Sequence, residues 1–327
     1  MVLESLIGEK NIRKKPFLVL LITFIISIGS IIFAHAIFPS HASVLSVAFI
    51  TIGLVPIIHN ILTHEDFNEV LQRKNASTFF ARHFNVIQMY VWVFVGVILA
   101  FSFLYIVFPI EMKQTVFQEQ INSFCLISGD ESCVTGIPKS ISGMFSTTAF
   151  NSCQNPSTSN LFSCSLFIFE NNGTVLLFTI ILSLLYGAGA IFIIAWNASI
   201  LGIFFGEIIL STQYLRGFGL LQGLLIGHGP PELLGYIFGA LAGAILSAMI
   251  SRNQFLRHEF LTIIKDFFLL VFLAVFSIIY GAIVEAMGIT GMIELYFLFG
   301  FIYVFLILII IFIYGRKKII SQKIFEK

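Results

Sequence analysis

The chain has 327 residues, of which 58% are hydrophobic and only 11% charged, and its mean hydropathy is +0.99. Soluble domains carry about 25% charged residues, and a soluble fold of this size could not bury so much apolar surface, so that class is excluded. The net charge of +1 gives no argument for a nucleic-acid partner. The composition therefore predicts an all-α, polytopic membrane protein.

The hydropathy pattern divides the chain into apolar stretches, each long enough for a transmembrane helix. Because a helix needs about 20 apolar residues to cross the hydrocarbon core, we expect a bundle of about eight spans. The predicted spans are 17–38, 43–62, 84–108, 173–195, 198–212, 232–250, 267–288 and 292–314. The fifth is short, and the glycine-rich stretch 213–231 is a candidate re-entrant segment. The sequence does not decide whether 198–231 spans or re-enters the membrane.

The spans group into three regions. We expect an N-terminal membrane region of three spans over 1–108, an external cysteine-containing loop over 109–171, and a membrane core with a C-terminal tail over 172–327.

The basic residues predict the orientation of the chain. Lysine and arginine cluster at 13–15, 73–82, 252–265 and 316–318, and all four clusters fall on one side if the predicted spans are correct. Basic residues flank spans on the cytoplasmic side. The pattern therefore predicts a multi-pass cell-membrane protein with both termini cytoplasmic and the cysteine loop extracytoplasmic.

All four cysteines lie in this loop, at Cys125, Cys133, Cys153 and Cys164. Their placement on the predicted outer side favours two disulfides, since disulfides persist in oxidising compartments. Three pairings are open. The loop is rich in Ser and Asn and has little apolar core of its own, so disulfides would staple it. Metal binding is less favoured, because the loop contains neither a histidine nor two cysteines at a CxxC spacing.

Ionisable residues inside membrane spans are energetically costly and indicate function. Five of them fall in the predicted outer leaflet, one being Glu294, and the other four form the candidate functional group: Glu207, His228, Glu232 and Glu285. For any one of them, a helix-end position near headgroup water is the simpler interpretation. For the group we favour a function, because Glu207 lies in an otherwise apolar span.

The stretch "IGHGPPELLGY", residues 226–236, shows how two of these residues are placed. Proline is tolerated in the first helical turn, where its missing N–H would be unpaired in any case. We therefore expect the sixth span to begin at about residue 231, with Glu232 in its first turn. The positive end of the helix dipole favours a carboxylate there. His228 precedes the helix and is placed by the turn.

Glycines repeat at four-residue intervals in the same region. Gly235, Gly239 and Gly243 form a ridge along the sixth span, and such ridges let helices approach closely in lipid. The ridge predicts either tight packing within the bundle or the interface of a homo-oligomer.

These motifs occur in a recognisable order. They are "ENNGTVLL", "WNASILG", "GHGPPELLGYIFGALAG" and "GAIVEAMG", from about residue 170 onward. In this order they resemble the stage II sporulation protein M family of integral membrane proteins, and the first three spans resemble the N-terminal extension of its archaeal-type members. By this resemblance, His228, Glu232 and Glu285 occupy recurrent positions of the family. The other residues at such positions are Asn171, Asn172, Asn197, Gly202 and Gly229. The resemblance implies a helical membrane fold and, in sporulating bacteria, anchoring of wall-remodelling hydrolases.

Three functions remain open at this point. The resemblance favours a scaffold in the lipid bilayer that organises a membrane or extracytoplasmic protein partner. Such a scaffold would need no catalytic residues, metal or cofactor. The outer ionisable group favours a proton- or cation-coupled transporter, because substrate sites occur at broken helices. An intramembrane metal-dependent enzyme is the third, since His and Glu are metal ligands, but no HExxH motif supports it.

Overall fold

The protein is an all-α bundle. The structure is a computed structural model that describes residues 17–72, 79–128, 153, 160–187, 189–210, 225–251 and 260–325, and no strand occurs in these ranges. Its helices are α1 (Phe17–Ile37), α2 (Ala42–Gln72), α3 (Phe79–Val107), α4 (Ile110–Val116), α5 (Gln118–Ser128), α6 (Leu161–Tyr186), α7 (Ala190–Leu210), α8 (Gly229–Ser251), α9 (Phe260–Ile289) and α10 (Ile293–Phe325). A 3-10 turn, Pro39–His41, joins α1 to α2.

Most of these helices are long and apolar enough to cross a membrane. Within the described residues, seven candidate spans meet both criteria, in α1, α2, α3, α6, α7, α8 and α9. The last helix, α10, adds a shorter apolar stretch at Ile293–Ile309. The predicted polytopic helical bundle is therefore confirmed.

The boundary between the fourth and fifth spans differs from the prediction. The chain turns between the end of α6 at Tyr186 and the start of α7 at Ala190, and not near Asn197 as the sequence pattern indicated. Gly187 adopts a φ of 64° at the end of α6, a conformation that glycine reaches at little cost. Residues 198–210 of the stretch predicted as a short span thereby belong to the 21-residue helix α7.

The segment predicted as an external loop contains helices. The two short helices α4 and α5 follow α3, and α6 begins at Leu161, so the last residues of the predicted 109–171 loop belong to a span. Asn160 caps α6, because its side-chain oxygen accepts a hydrogen bond from the Phe162 N–H at 3.0 Å. Most of the predicted re-entrant stretch 213–231 lies outside the described residues.

One of the two expected disulfides is present at the start of α6, among the residues that the structure describes. Cys153 and Cys164 are bonded, with their Cα atoms 4.8 Å apart. Both side chains are buried and pack against Ala282 and Ala286 near the end of α9. Cys133 and the side chain of Cys125 lie outside the described residues. We call the end of the bundle that carries this bond the disulfide end.

The helices pack as two groups that share one apolar core. The first group consists of α1, α2, α3 and α7, and the second of α6, α8 and α9, and α10 packs against α9. At the end opposite the disulfide, the buried side chains of His83 and Asp266 connect the starts of α3 and α9, with His83 Nε2 and Asp266 Oδ2 3.3 Å apart.

The glycine ridge of α8 lies inside the second group. A Cβ at Gly235 would stand 2.8 Å from the Ile278 side chain of α9, and one at Gly243 would stand 2.5 Å from the Ile180 carbonyl oxygen of α6. The Ser183 hydroxyl of α6 donates to the Ala240 carbonyl at 2.6 Å, across the same contact. The ridge therefore joins helices within one chain, and an oligomer of this protein would need another surface.

Candidate functional site

Three ionisable side chains converge at the disulfide end. Each of His228, Glu232 and Glu285 offers one metal-ligating atom, and these atoms all lie within 4.8 Å of one another. All three residues are half-buried. We call these three residues the polar cluster. Its members come from the bend before α8, the first turns of α8 and the last turns of α9.

The start of α8 fixes the first two members. The helix begins at Gly229, two residues earlier than expected. The backbone N–H of Glu232 donates to the His228 carbonyl at 3.2 Å, so His228 is the residue that caps the helix. Pro230 and Pro231 occupy first-turn positions, where no intrahelical N–H bond is lost.

A glycine on α9 makes room for Glu232. A Cβ added at Gly281 would stand 2.7 Å from Glu232 Cγ, so any larger residue would displace this side chain. Glu285 lies four residues further along α9, on the same face. The Glu232 side chain therefore packs against α9 at Gly281. Its carboxylate lies close to that of Glu285, one helical turn further along α9.

An amide on α6 orients the Glu232 carboxylate. Asn172 Nδ2 donates to Glu232 Oε1 at 2.8 Å. The Tyr236 hydroxyl, one turn along α8 from Glu232, donates to Asn172 Oδ1 at 3.1 Å. The neighbouring Asn171 amide is 3.4 Å from the same oxygen. Three helices thus contribute to the position of one carboxylate.

The first helical turns of α10 hold the bend that carries His228. The Tyr296 hydroxyl is 3.2 Å from His228 Nδ1. Gly300, on the same face of α10, approaches the backbone at 226–227 so closely that a Cβ there would overlap Gly227 Cα, at 2.9 Å. Glycine at position 300 is therefore required for α10 to reach this bend.

The fourth predicted member, Glu207, lies elsewhere. Its side chain is exposed on α7 and accepts a hydrogen bond from the Tyr105 hydroxyl of α3 at 2.7 Å. Lys113 Nζ sits 4.7 Å from the centre of the Tyr105 ring. The expectation that Glu207 joins the other three is wrong, because α7 packs in the first helix group and the polar cluster forms in the second.

The family-motif positions divide in the same way. Asn171 and Asn172 lie beside the polar cluster, and Gly229 opens α8. Asn197 instead donates to the Ile193 carbonyl of its own helix at 2.8 Å. Gly202 packs against α3, where the Ser102 hydroxyl donates to its carbonyl at 2.8 Å.

Sequence reasoning missed two tyrosines and two glycines of this site. A signal existed for Tyr236, which lies four residues after Glu232 and so shares its helix face. Gly281 opens the motif "GAIVEAMG", but that motif did not place it beside Glu232. No sequence signal placed Tyr296 or Gly300, because these roles depend on which helices are neighbours.

The carboxylates of Glu232 and Glu285 lie close enough to repel each other when both are ionised. Two ionised carboxylates about 5 Å apart repel by roughly 3 kcal/mol at an effective dielectric constant of about 20. A proton or a cation between Glu232 and Glu285 removes this repulsion. Imidazole nitrogen and carboxylate oxygen are both ligands of transition-metal ions. The polar cluster can therefore exchange protons or coordinate a cation.

Comparison with known protein families assigns this chain to one of them. The family model described as stage II sporulation protein M matches residues 89–288, which is more than half of the chain. The match begins within α3, so it reaches further toward the N-terminus than the motifs from about residue 170 onward. It includes every member of the polar cluster and the residues of α6 beside it. No curated protein and no solved structure matches the chain. The chain belongs to the stage II sporulation protein M family.

Proposed function

We propose that this protein is an integral membrane scaffold that organises partner proteins at the membrane. The family match over residues 89–288 is the observation that carries this proposal, and an apolar strip on the outer face of α9 is the surface that we assign to the partner. Large side chains follow one another along the helix with spacings of three, four and seven residues, which is one helical face. The strip consists of Leu261, Phe268, Phe272, Phe276, Ile279 and Ile283, all exposed.

The strip lies on α9, the last helix of the family-matched region. The opposite face of α9 contacts α6 and α8 and carries Glu285. A partner helix that packs on the strip would therefore touch the helix that supports the polar cluster. In the membrane, aromatic and aliphatic faces of this kind are covered either by lipid or by another protein helix.

Matched variants test the scaffold role. The tagged full-length protein is recovered from its own membranes in mild detergent, and bound membrane proteins are quantified by mass spectrometry. We expect a reproducible partner at fixed stoichiometry. Phe272→Ala with Phe276→Ala should lose this partner, whereas Ile25→Ala with Ile32→Ala, two exposed positions on α1 outside the family match, should retain it. Recovery of the chain without a reproducible partner would contradict the proposal.

A second candidate function is proton- or cation-coupled transport, and one observation favours it. Three ionisable side chains meet where a bend enters a helix, as at the binding sites of transporters with discontinuous helices. In sealed vesicles containing the purified protein and a pH-sensitive dye, an imposed pH gradient should collapse faster than in empty vesicles. Glu285→Gln should abolish the difference. Equal rates in protein-containing and empty vesicles would eliminate this candidate.

A further inference from the structure

We propose that His228, Glu232 and Glu285 bind a divalent transition-metal ion of the zinc type. Zinc sites with three protein ligands from His and Glu leave a fourth position to water. The polar cluster supplies one imidazole and two carboxylates, with ligand atoms all within 4.8 Å of one another. This binding does not depend on the scaffold role or on transport.

The hydrogen bonds at the polar cluster engage Nδ1 of His228 and Oε1 of Glu232, and the Glu232 and Glu285 carboxyl groups are hydrogen-bonded to each other. A metal ion would replace the proton that these two carboxyl groups share. Nδ1 of His228 faces the Tyr296 hydroxyl at 3.2 Å, so Nε2 is the nitrogen left for a metal. Oε1 of Glu232 accepts the Asn172 amide at 2.8 Å, which leaves Oε2. Glu285 completes the set from α9.

The residues around these ligands are arranged as an outer shell. Metal-binding histidines and carboxylates are held by hydrogen bonds from residues that do not touch the metal. Here Tyr296 holds His228, Asn172 holds Glu232, and Tyr236 in turn donates to Asn172 at 3.1 Å. A carboxylate that served only to cap α8 would not need an amide on α6.

Charge and ligand type narrow the choice of ion. A divalent cation neutralises both carboxylate charges, whereas a shared proton removes the repulsion but leaves one negative charge. Calcium and magnesium prefer oxygen ligands alone, while an imidazole nitrogen together with carboxylates suits zinc and neighbouring transition metals. A bound ion would tie the start of α8 to the end of α9, beside the Cys153–Cys164 bond.

Zinc binding to purified full-length protein tests the site. The protein, carrying a tag without histidine, is stripped with a chelator in detergent, and zinc affinity is measured by competition with a fluorescent chelator. We expect one zinc ion per chain. His228→Gln and Glu285→Gln should each raise the Kd by more than about 100-fold, which exceeds the effect typical of outer-shell changes. Glu207→Gln, an exposed glutamate outside the polar cluster, should leave the Kd unchanged.

Two outcomes would overturn the proposal. One is wild-type protein that binds no zinc after stripping and reloading. The other is zinc that binds equally well to the His228→Gln and Glu285→Gln proteins, provided that each elutes as a single species in size-exclusion chromatography. If one of these two variants does not fold, the zinc affinity of the other still tests the proposal. Asn172→Ala provides a third variant, which changes a residue of the outer shell and not a ligand. It should weaken zinc binding about 10- to 100-fold, whereas Asn197→Ala should not.

Discussion

Asn172 Nδ2 on α6 donates a hydrogen bond of 2.8 Å to Glu232 Oε1 on α8, and this contact joins two family-motif elements that lie 60 residues apart in the sequence. It explains why an amide inside one span and a carboxylate at the entrance of another occur in the same chain. An unpaired carboxylate in apolar surroundings is costly, and the amide compensates part of that cost. Replacing either partner should therefore affect stability as well as the site.

Asn172→Ala should lower the free energy of unfolding by about 1–2 kcal/mol, since interhelical hydrogen bonds in membranes contribute on this order. The measurement is thermal unfolding in detergent followed by circular dichroism. Asn197→Ala is the matched control: its amide bonds only to a carbonyl of its own helix, so its effect should stay below about 0.5 kcal/mol. Equal losses in both variants would show that the contact with Glu232 is energetically unimportant.

Gly243→Ala should destabilise the bundle by about 1–3 kcal/mol, the usual range for overpacking. The added Cβ would stand 2.5 Å from the Ile180 carbonyl oxygen and 2.7 Å from Ser183 Cβ, and the backbone of α6 cannot yield as a flexible side chain can. Gly29→Ala on α1 is the control, because a Cβ there meets nothing within 4 Å. The prediction fails if Gly243→Ala unfolds at the wild-type temperature.

The Cys153–Cys164 bond should be detected as a linked peptide pair in a non-reduced proteolytic digest analysed by mass spectrometry. A closed loop of this size stabilises by roughly 2–3 kcal/mol. Cys164→Ser should therefore lower the unfolding temperature under oxidising conditions, and reductant should have no further effect through this bond. A linked pair that joins Cys164 to another cysteine would contradict the structure.

His83 and Asp266, the buried pair at the end opposite the disulfide, are expected to be energetically coupled. Single variants His83→Ala and Asp266→Ala should each destabilise the protein, and a double-mutant cycle should return an interaction energy of about 0.5–3 kcal/mol. The physical reason is that removing one partner leaves the other buried with fewer polar contacts. A cycle that closes to zero would mean that the 3.3 Å contact contributes nothing to stability.

The orientation proposed from the basic residues is testable with reporter fusions. Green fluorescent protein fused after Lys327 should fluoresce, because the C-terminus is expected in the cytoplasm. Alkaline phosphatase fused after Asn160 should be active, because that residue lies at the disulfide end, which we expect outside the cell. The opposite pair of results would reverse the assignment.

Several features follow from the sequence alone. Composition and hydropathy predicted a helical bundle because lipid leaves a spanning chain few alternatives to helix. The stretch "GHGPPELLGY" placed a helix start near residue 231, within two residues of the observed Gly229, because proline restricts the backbone locally. The order of the motifs indicated the family.

Other features depend on tertiary packing. Hydropathy is continuous across 173–212, so it could not locate the turn between α6 and α7, which depends on the positive φ of Gly187. Periodicity within a helix likewise does not say which helix lies beside it. The packing of α6, α8, α9 and α10 therefore decides three features of the site. Glu232 converges with Glu285, Asn172 and Tyr296 support the polar cluster, and Glu207 lies elsewhere. Local chemistry fixes where a helix begins, whereas close packing between helices fixes which side chains meet.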